Sequence, residues 1–172
     1  MIVEDEKFIR DGILYLLSEV PGITEIDTAC DGEDAWSMIT DARRFPDIVL
    51  TDIRMPGMDG LELSDKIREH SAASKIIFIS GYEDFAYAKK AISLGASGYV
   101  TKPVAQDELL ELINRVMIQI RKEEQFDRQQ EISCFHEKQS DALLTAPAAR
   151  RGIGPESMDE VEVLGDKLED YR

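Results

Sequence analysis

The stretch Ile48-Val49-Leu50-Thr51-Asp52-Ile53-Arg54-Met55-Pro56-Gly57-Met58-Asp59-Gly60 decides how this chain is read. Three apolar residues in a row, without polar alternation, suit a strand covered by helices on both faces, as in a parallel sheet. The run ends on a carboxylate, Asp52, and passes into the turn dipeptides Pro56-Gly57 and Asp59-Gly60. In open α/β sheets ligands collect beyond the carboxyl ends of the strands, where helix N-termini and loop amides converge. Asp52 is therefore the first residue to ask about chemistry.

Outward from this stretch, short apolar runs alternate with amphipathic ones up to about Gln125, the pattern of a doubly wound α/β fold. Strands are predicted at residues 1–3, 23–29, 48–51, 75–80 and 98–101. Ile76-Ile77-Phe78-Ile79 is apolar throughout and, like Ile48-Val49-Leu50, belongs at or near the centre of the sheet. Ile26, Thr28 and Cys30 alternate instead, which places the second strand nearer an edge. Between strands, Ile9, Ile13, Leu17 and Val20 recur at helical spacing, as do Phe85, Ala88 and Ile92, and Leu109, Ile113, Val116 and Ile120. Each stripe is read as core. Asp84 suits an N-cap, and Gly95 a helix C-terminus that needs positive φ.

The strand ends then bring chemistry together. Glu4 and Asp5 follow the first strand, Asp52 the third, Ser80 the fourth and Lys102 the fifth. Clustered carboxylates repel one another at neutral pH and persist only if a cation or protons compensate. Mg²⁺ is the natural candidate, since it takes oxygen ligands from one or two carboxylates and substrate phosphate. Lys102 and Ser80 could meet the oxygens of a phosphoryl group on Asp52, which makes Asp52 a nucleophile for acyl-phosphate formation. Taken singly, Glu4-Asp5 reads as a helix start, Ser80 as a turn residue and Lys102 as a solvated lysine. Their joint placement at successive strand ends is what favours a site.

Ile2-Val3-Glu4-Asp5-Glu6, Thr51 to Gly60, Ser80-Gly81 and Lys102-Pro103, in this order and spacing, resemble the signature segments of response-regulator receiver domains over residues 1–120. The resemblance implies a flavodoxin-like (βα)5 fold with strand order 2-1-3-4-5. It also implies phosphotransfer to Asp52 from a sensor histidine kinase. Asp5, Asp52 and the backbone carbonyl of Arg54 match the family's Mg²⁺ ligands, with Glu4 acting through water. Ser80 and Lys102 match its switch hydroxyl and phosphate-binding lysine, and Tyr99 its switch aromatic. Arg54 and Tyr82, each two residues beyond a site residue, would overhang an acyl phosphate and lengthen its life. Phosphorylation is expected to reshape the face of the fourth helix, fifth strand and fifth helix, and to favour a homodimer.

The stretch from Ser80 to Ile92 further resembles receivers joined to AraC-type DNA-binding domains, so control of transcription is the expected output. No pair of helix-turn-helix units follows Gln125. The family usually has two or three residues ahead of the Ile-Val of the first strand, so this first strand should be short as well as central. Two other readings compete. An aspartyl-nucleophile phosphatase of the haloacid dehalogenase kind keeps its acid at the first strand, and here the acceptor follows the third. A receiver that takes no phosphate and serves only as an interaction module would not need the full residue set.

Composition narrows the classes. The 172 residues include 35 acids against 20 bases, a formal charge of −15 that repels phosphate backbones, so no nucleic-acid binding by this chain is expected. No apolar run approaches a membrane span, no secretory leader is visible, and the cytoplasm is the expected address. Cys30 and Cys134, like His70 and His136, stand apart without metal-ligand spacing. Residues 1–122 read as the phospho-acceptor domain and 123–172 as a solvated, partly helical tail. The tail's apolar stripe fades after Ile120, leaving no sustained heptad seam.

Overall fold

A computed structural model describes residues 1–81 and 85–144, with only the backbone for 85, 86 and 131–144. The elements run β1 (Ile2–Val3), α1 (Lys7–Ser18), β2 (Thr28–Ala29), α2 (Gly32–Ala42), β3 (Ile48–Asp52), α3 (Gly60–His70), β4 (Lys75–Ser80), α4 (Phe85–Ser93), β5 (Gly98–Thr101) and α5 (Gln106–Leu144). All strand pairs are parallel, in the order β2-β1-β3-β4-β5. This is the flavodoxin-like arrangement that the motifs imply. Residues Met1–Arg128 form one compact unit, and the rest of α5 belongs to a second, Gln129–Arg172.

The core divides by strand parity. Val3, Val49, Ile76 and Phe78 face one way and pack with Ala35, Ile39, Leu61, Leu63, Ile67 and Ala91 from α2, α3 and α4. Ile2, Leu50, Ile77 and Ile79 face the other and meet Ile13, Leu17, Leu109, Ile113 and Val116 from α1 and α5. Two covered faces explain why β3 and β4 show no polar alternation. With side chains alternating by residue and both sides buried, the middle of each strand is apolar on both faces, and polar residues such as Lys75, Thr51 and Ser80 fall toward the strand ends.

Three expectations need correction. The second strand covers Thr28–Ala29 rather than 23–29, because β1 offers only Ile2 and Val3 as partners, in register with Thr28 and Ala29. Ahead of it residues 23–27 carry no strand assignment, although Asp27 O still accepts from Ile2 N at 2.8 Å. Ile92 is not core: it is 77% exposed, and α4 buries Ala91 instead. The helix turns its sheet-facing side one residue away from the predicted stripe. The 48–51 strand also runs one residue further and includes Asp52 itself.

Gly95 takes a φ of +69°, as expected, and Gly57 one of +71°. The turn residues do more than the sequence reading gave them: Asp59 caps α3 in a reciprocal capping box with Glu62, and Asp31 caps α2 through Asp34 N. The proposed N-cap Asp84 lies outside the described residues.

Candidate functional site

Four strands deliver side chains to one end of the sheet. β1 carries Glu4 and Asp5 just past its buried pair Ile2-Val3, and Glu4 N continues the β2 contact by donating to Ala29 O at 3.2 Å. β3 ends on Asp52, which is 6% exposed. The chain beyond Asp52 is gripped on both sides, since Ile53 N donates to Ile79 O at 3.0 Å and Gly60 N donates to Ile53 O at 3.0 Å. Arg54 N also donates to Asp52 Oδ1 at 3.2 Å. Gly60 is required there: a Cβ at that position would collide with the backbone oxygen of Asp52 and stand 2.8 Å from Thr51 Oγ1.

β5 brings Lys102 from the opposite side. Its backbone N–H donates to Ser80 O at 2.7 Å, which ties the ends of β4 and β5 together. Its ammonium donates to Asp52 Oδ2 at 2.6 Å and to Glu4 Oε1 at 2.9 Å, with Glu6 Oε1 at 3.9 Å. Charge-assisted bonds of this length, largely shielded from water, are among the stronger polar contacts a protein makes. Ser80 is buried at the end of β4, opposite Thr101 in register.

Electrostatics follow from this crowding. Burial pushes the Glu4 carboxyl above its ordinary range, and Asp52 nearby adds to the rise against the opposing pull of Lys102. Burial alone would lower the Lys102 ammonium, but its bonds to Asp52 and Glu4 outweigh that and hold it above its usual value. One oxygen each of Glu4, Asp5 and Asp52 lies within 4.8 Å of the others. Glu4 is fully buried, and its Oε2 has no hydrogen-bond partner among the described residues. Three carboxylates against one ammonium, with an oxygen left over, fit a hard divalent cation bound through oxygen.

The structure thus gathers Glu4, Asp5, Asp52 and Lys102, with Ser80 at the adjoining strand end and exposed Arg54 on the loop after Asp52. Tyr99 is half-buried on β5, in register with Phe78, and packs against the core cluster on the α2, α3 and α4 side of the sheet. Tyr82 lies outside the described residues. Sequence reasoning did not foresee the direct Glu4–Lys102 pair, since 98 positions separate the two residues and nothing local signals the contact. It also passed over Gly60 as a turn residue. The Asp-Gly dipeptide was visible, but the collision that demands glycine is tertiary.

A family profile described as the response regulator receiver domain matches residues 1–114. The chain is similar to the transcriptional regulatory protein YesN of Bacillus subtilis (strain 168), 32% identical over 125 residues that are 72% of this chain and 33% of that protein. It is similar also to the nitrate/nitrite response regulator protein NarL of Escherichia coli (strain K12), 32% identical over 67% of this chain and 52% of that one. The chain therefore spans about half or less of the length of these relatives. Among solved structures, a two component transcriptional regulator AraC from Clostridium phytofermentans ISDg superposes with a TM-score of 0.63 at 36% identity, covering 70% of this chain and 93% of that one. A DNA-binding response regulator of the LuxR family from Staphylococcus aureus gives 0.60 at 31%, covering 67% and 95%.

Proposed function

This chain belongs to the response-regulator receiver family of two-component systems, and on that premise we propose that Asp52 accepts a phosphoryl group from the phosphohistidine of a sensor kinase. One observation carries the reading: the ammonium of Lys102 stands 2.6 Å from Asp52 Oδ2, inside a cluster of three carboxylates suited to a divalent cation. In the transfer an Asp52 carboxylate oxygen attacks phosphorus. A P–O bond forms as the donor's P–N bond breaks, and the electron pair returns to the imidazole.

Asp5, Asp52 and the backbone carbonyl of Arg54 would hold Mg²⁺, with Glu4 reached through water, and the cation there would offset charge on the phosphoryl oxygens. Lys102 leaves its carboxylate partners for a phosphoryl oxygen, and the Ser80 hydroxyl donates to another. The inward pull on Ser80 opens space for Tyr99 and reshapes the surface of α4, β5 and α5. Arg54 and Tyr82 overhang the acyl phosphate and slow its hydrolysis. Apart from phosphotransfer and its own dephosphorylation, the domain is a switch and not an enzyme.

Residues 1–122 are read as the switch and 123–172 as a tail without an output module. Transcription is the inferred output, through a DNA-binding domain beyond these residues, and phosphorylation favours a homodimer. A charge of −15 argues against direct contact with DNA. No helix among the described residues is long and apolar enough to cross a membrane.

Incubation with acetyl phosphate and Mg²⁺, followed by intact-mass analysis, tests the central claim. One hydroxylamine-labile phosphoryl group is expected on the wild type and none on Asp52→Asn. An unmodified wild type would leave an interaction module. Light scattering with and without beryllofluoride tests the dimer, and a form that stays monomeric when activated would refute it.

A further inference from the structure

The loop that carries Glu4 and Asp5 lacks the usual support for a helix start. Glu6 is the N-cap of α1 and makes no side-chain cap, and the first turn of α1 contains no acid. Among the described residues, the side-chain bond toward the loop's amides is a long one, Glu6 N to Glu4 Oε1 at 3.4 Å. What holds the loop instead comes from the second turn of the helix: Arg10 Nη1 donates to the backbone oxygen of Glu4 at 2.6 Å. Arg10 is itself fixed to the helix, its N–H bonded to Glu6 O at 3.0 Å. Glu4 is thus pinned at three points, by Ala29 through its N–H, by Lys102 through its carboxylate and by Arg10 through its carbonyl.

The carbonyl of Glu4 is part of the peptide that leads into Asp5. Its orientation sets the φ of Asp5 and therefore the direction in which that exposed carboxylate leaves the chain. We infer that Arg10 is a positioning residue, which holds the Glu4–Asp5 peptide so that the Asp5 and Glu4 carboxylates converge with Asp52 on a divalent cation. The inference rests on the cation reading of the site given above.

Charge and geometry predict opposite signs for its loss, which makes the role separable. A guanidinium beside a cation site is repulsive, so removing it for charge alone would tighten Mg²⁺ binding. Removing it as a support would loosen binding, because the ligands lose their preorganised direction.

The test is calorimetric titration of MgCl₂ into the full chain as wild type, Arg10→Met, Arg10→Lys and Asp5→Asn. Arg10→Met keeps the aliphatic stem and so protects the packing of α1 while removing the donor. Binding about tenfold weaker than wild type is expected, in the range that losing an outer partner of a metal ligand commonly produces. Arg10→Lys, which keeps the charge and one donor, should recover most of that loss. In the magnesium-free protein, amide exchange at Asp5 to Lys7 should quicken in Arg10→Met while that of β4 does not change. Arg10→Met that binds Mg²⁺ as tightly as wild type, or more tightly, overturns the inference. Equal binding by wild type and Asp5→Asn instead removes the cation reading itself, and the inference with it.

Discussion

At the carboxyl ends of the strands three carboxylates and an ammonium crowd into a few ångströms, and at the amino ends the same sheet borders a cavity of about 770 Å³ whose lining mixes apolar residues such as Ile23, Met38 and Met117 with charged ones such as Asp27, Arg44 and Arg121. The contrast shows where this fold spends its rigidity. At the polar end, glycines bring backbone against backbone, Gly60 against the oxygen of Asp52 and Gly32 against that of Met58. At the amino ends, Gly22 meets the tips of flexible side chains, Arg121 Nη2 and Met117 Cε. Like charges close together repel unless their carriers are held, so the polar end needs contacts that cannot give way. The amino-end cavity, bordered by side chains and not by backbone pressed on backbone, can be filled by groups that move.

The largest effect that would sharpen the comparison is Gly60→Ala. Its Cβ has only backbone and Thr51 to displace, so we expect a loss of about 3 kcal/mol, at the upper end for overpacking. Urea unfolding reads this directly, and a midpoint within error of wild type would mean that the loop after Asp52 is not rigid at all. Gly22→Ala should cost less. Its neighbours can swing aside, leaving mainly the strain of a φ of +95°, about 1 kcal/mol. If the two substitutions cost the same, the distinction between the ends fails.

The smallest effect is expected at Ser64, on α3 beneath the sheet, where a buried hydroxyl finds no partner among the described residues. Ser64→Ala should be neutral or stabilise by up to about 1 kcal/mol, since an unsatisfied buried donor is removed with little change in volume. A loss above that in the same urea experiment would reveal a hydrogen bond to bound water.

Much of this was legible before any coordinates. The apolar runs of β3 and β4, the turn at Asp59-Gly60 and Gly95 at positive φ are local features, decided by residues within a turn or two of one another. The α4 face was not legible to the same degree. Ala88 and Ile92 fit a helical stripe as well as Ala91 does, and only the seat of α4 on the sheet tells them apart. The length of β2 failed for a related reason: a strand is as long as its neighbour allows, and that neighbour is 26 residues earlier in the chain.

By itself, then, the sequence determined the family, the order of elements and which carboxylates reach the strand ends, because hydrophobic period and turn chemistry are written in neighbouring residues. Tertiary structure alone decided that Lys102 holds Glu4 as well as Asp52, that Arg10 reaches back to the Glu4 carbonyl, and that Gly60 admits no side chain. Each of these depends on where the folded elements put their atoms, even for Arg10 and Glu4, which lie only six residues apart. Each such distance depends on how helices and strands pack, and packing is a property of the whole core and not of any segment in it.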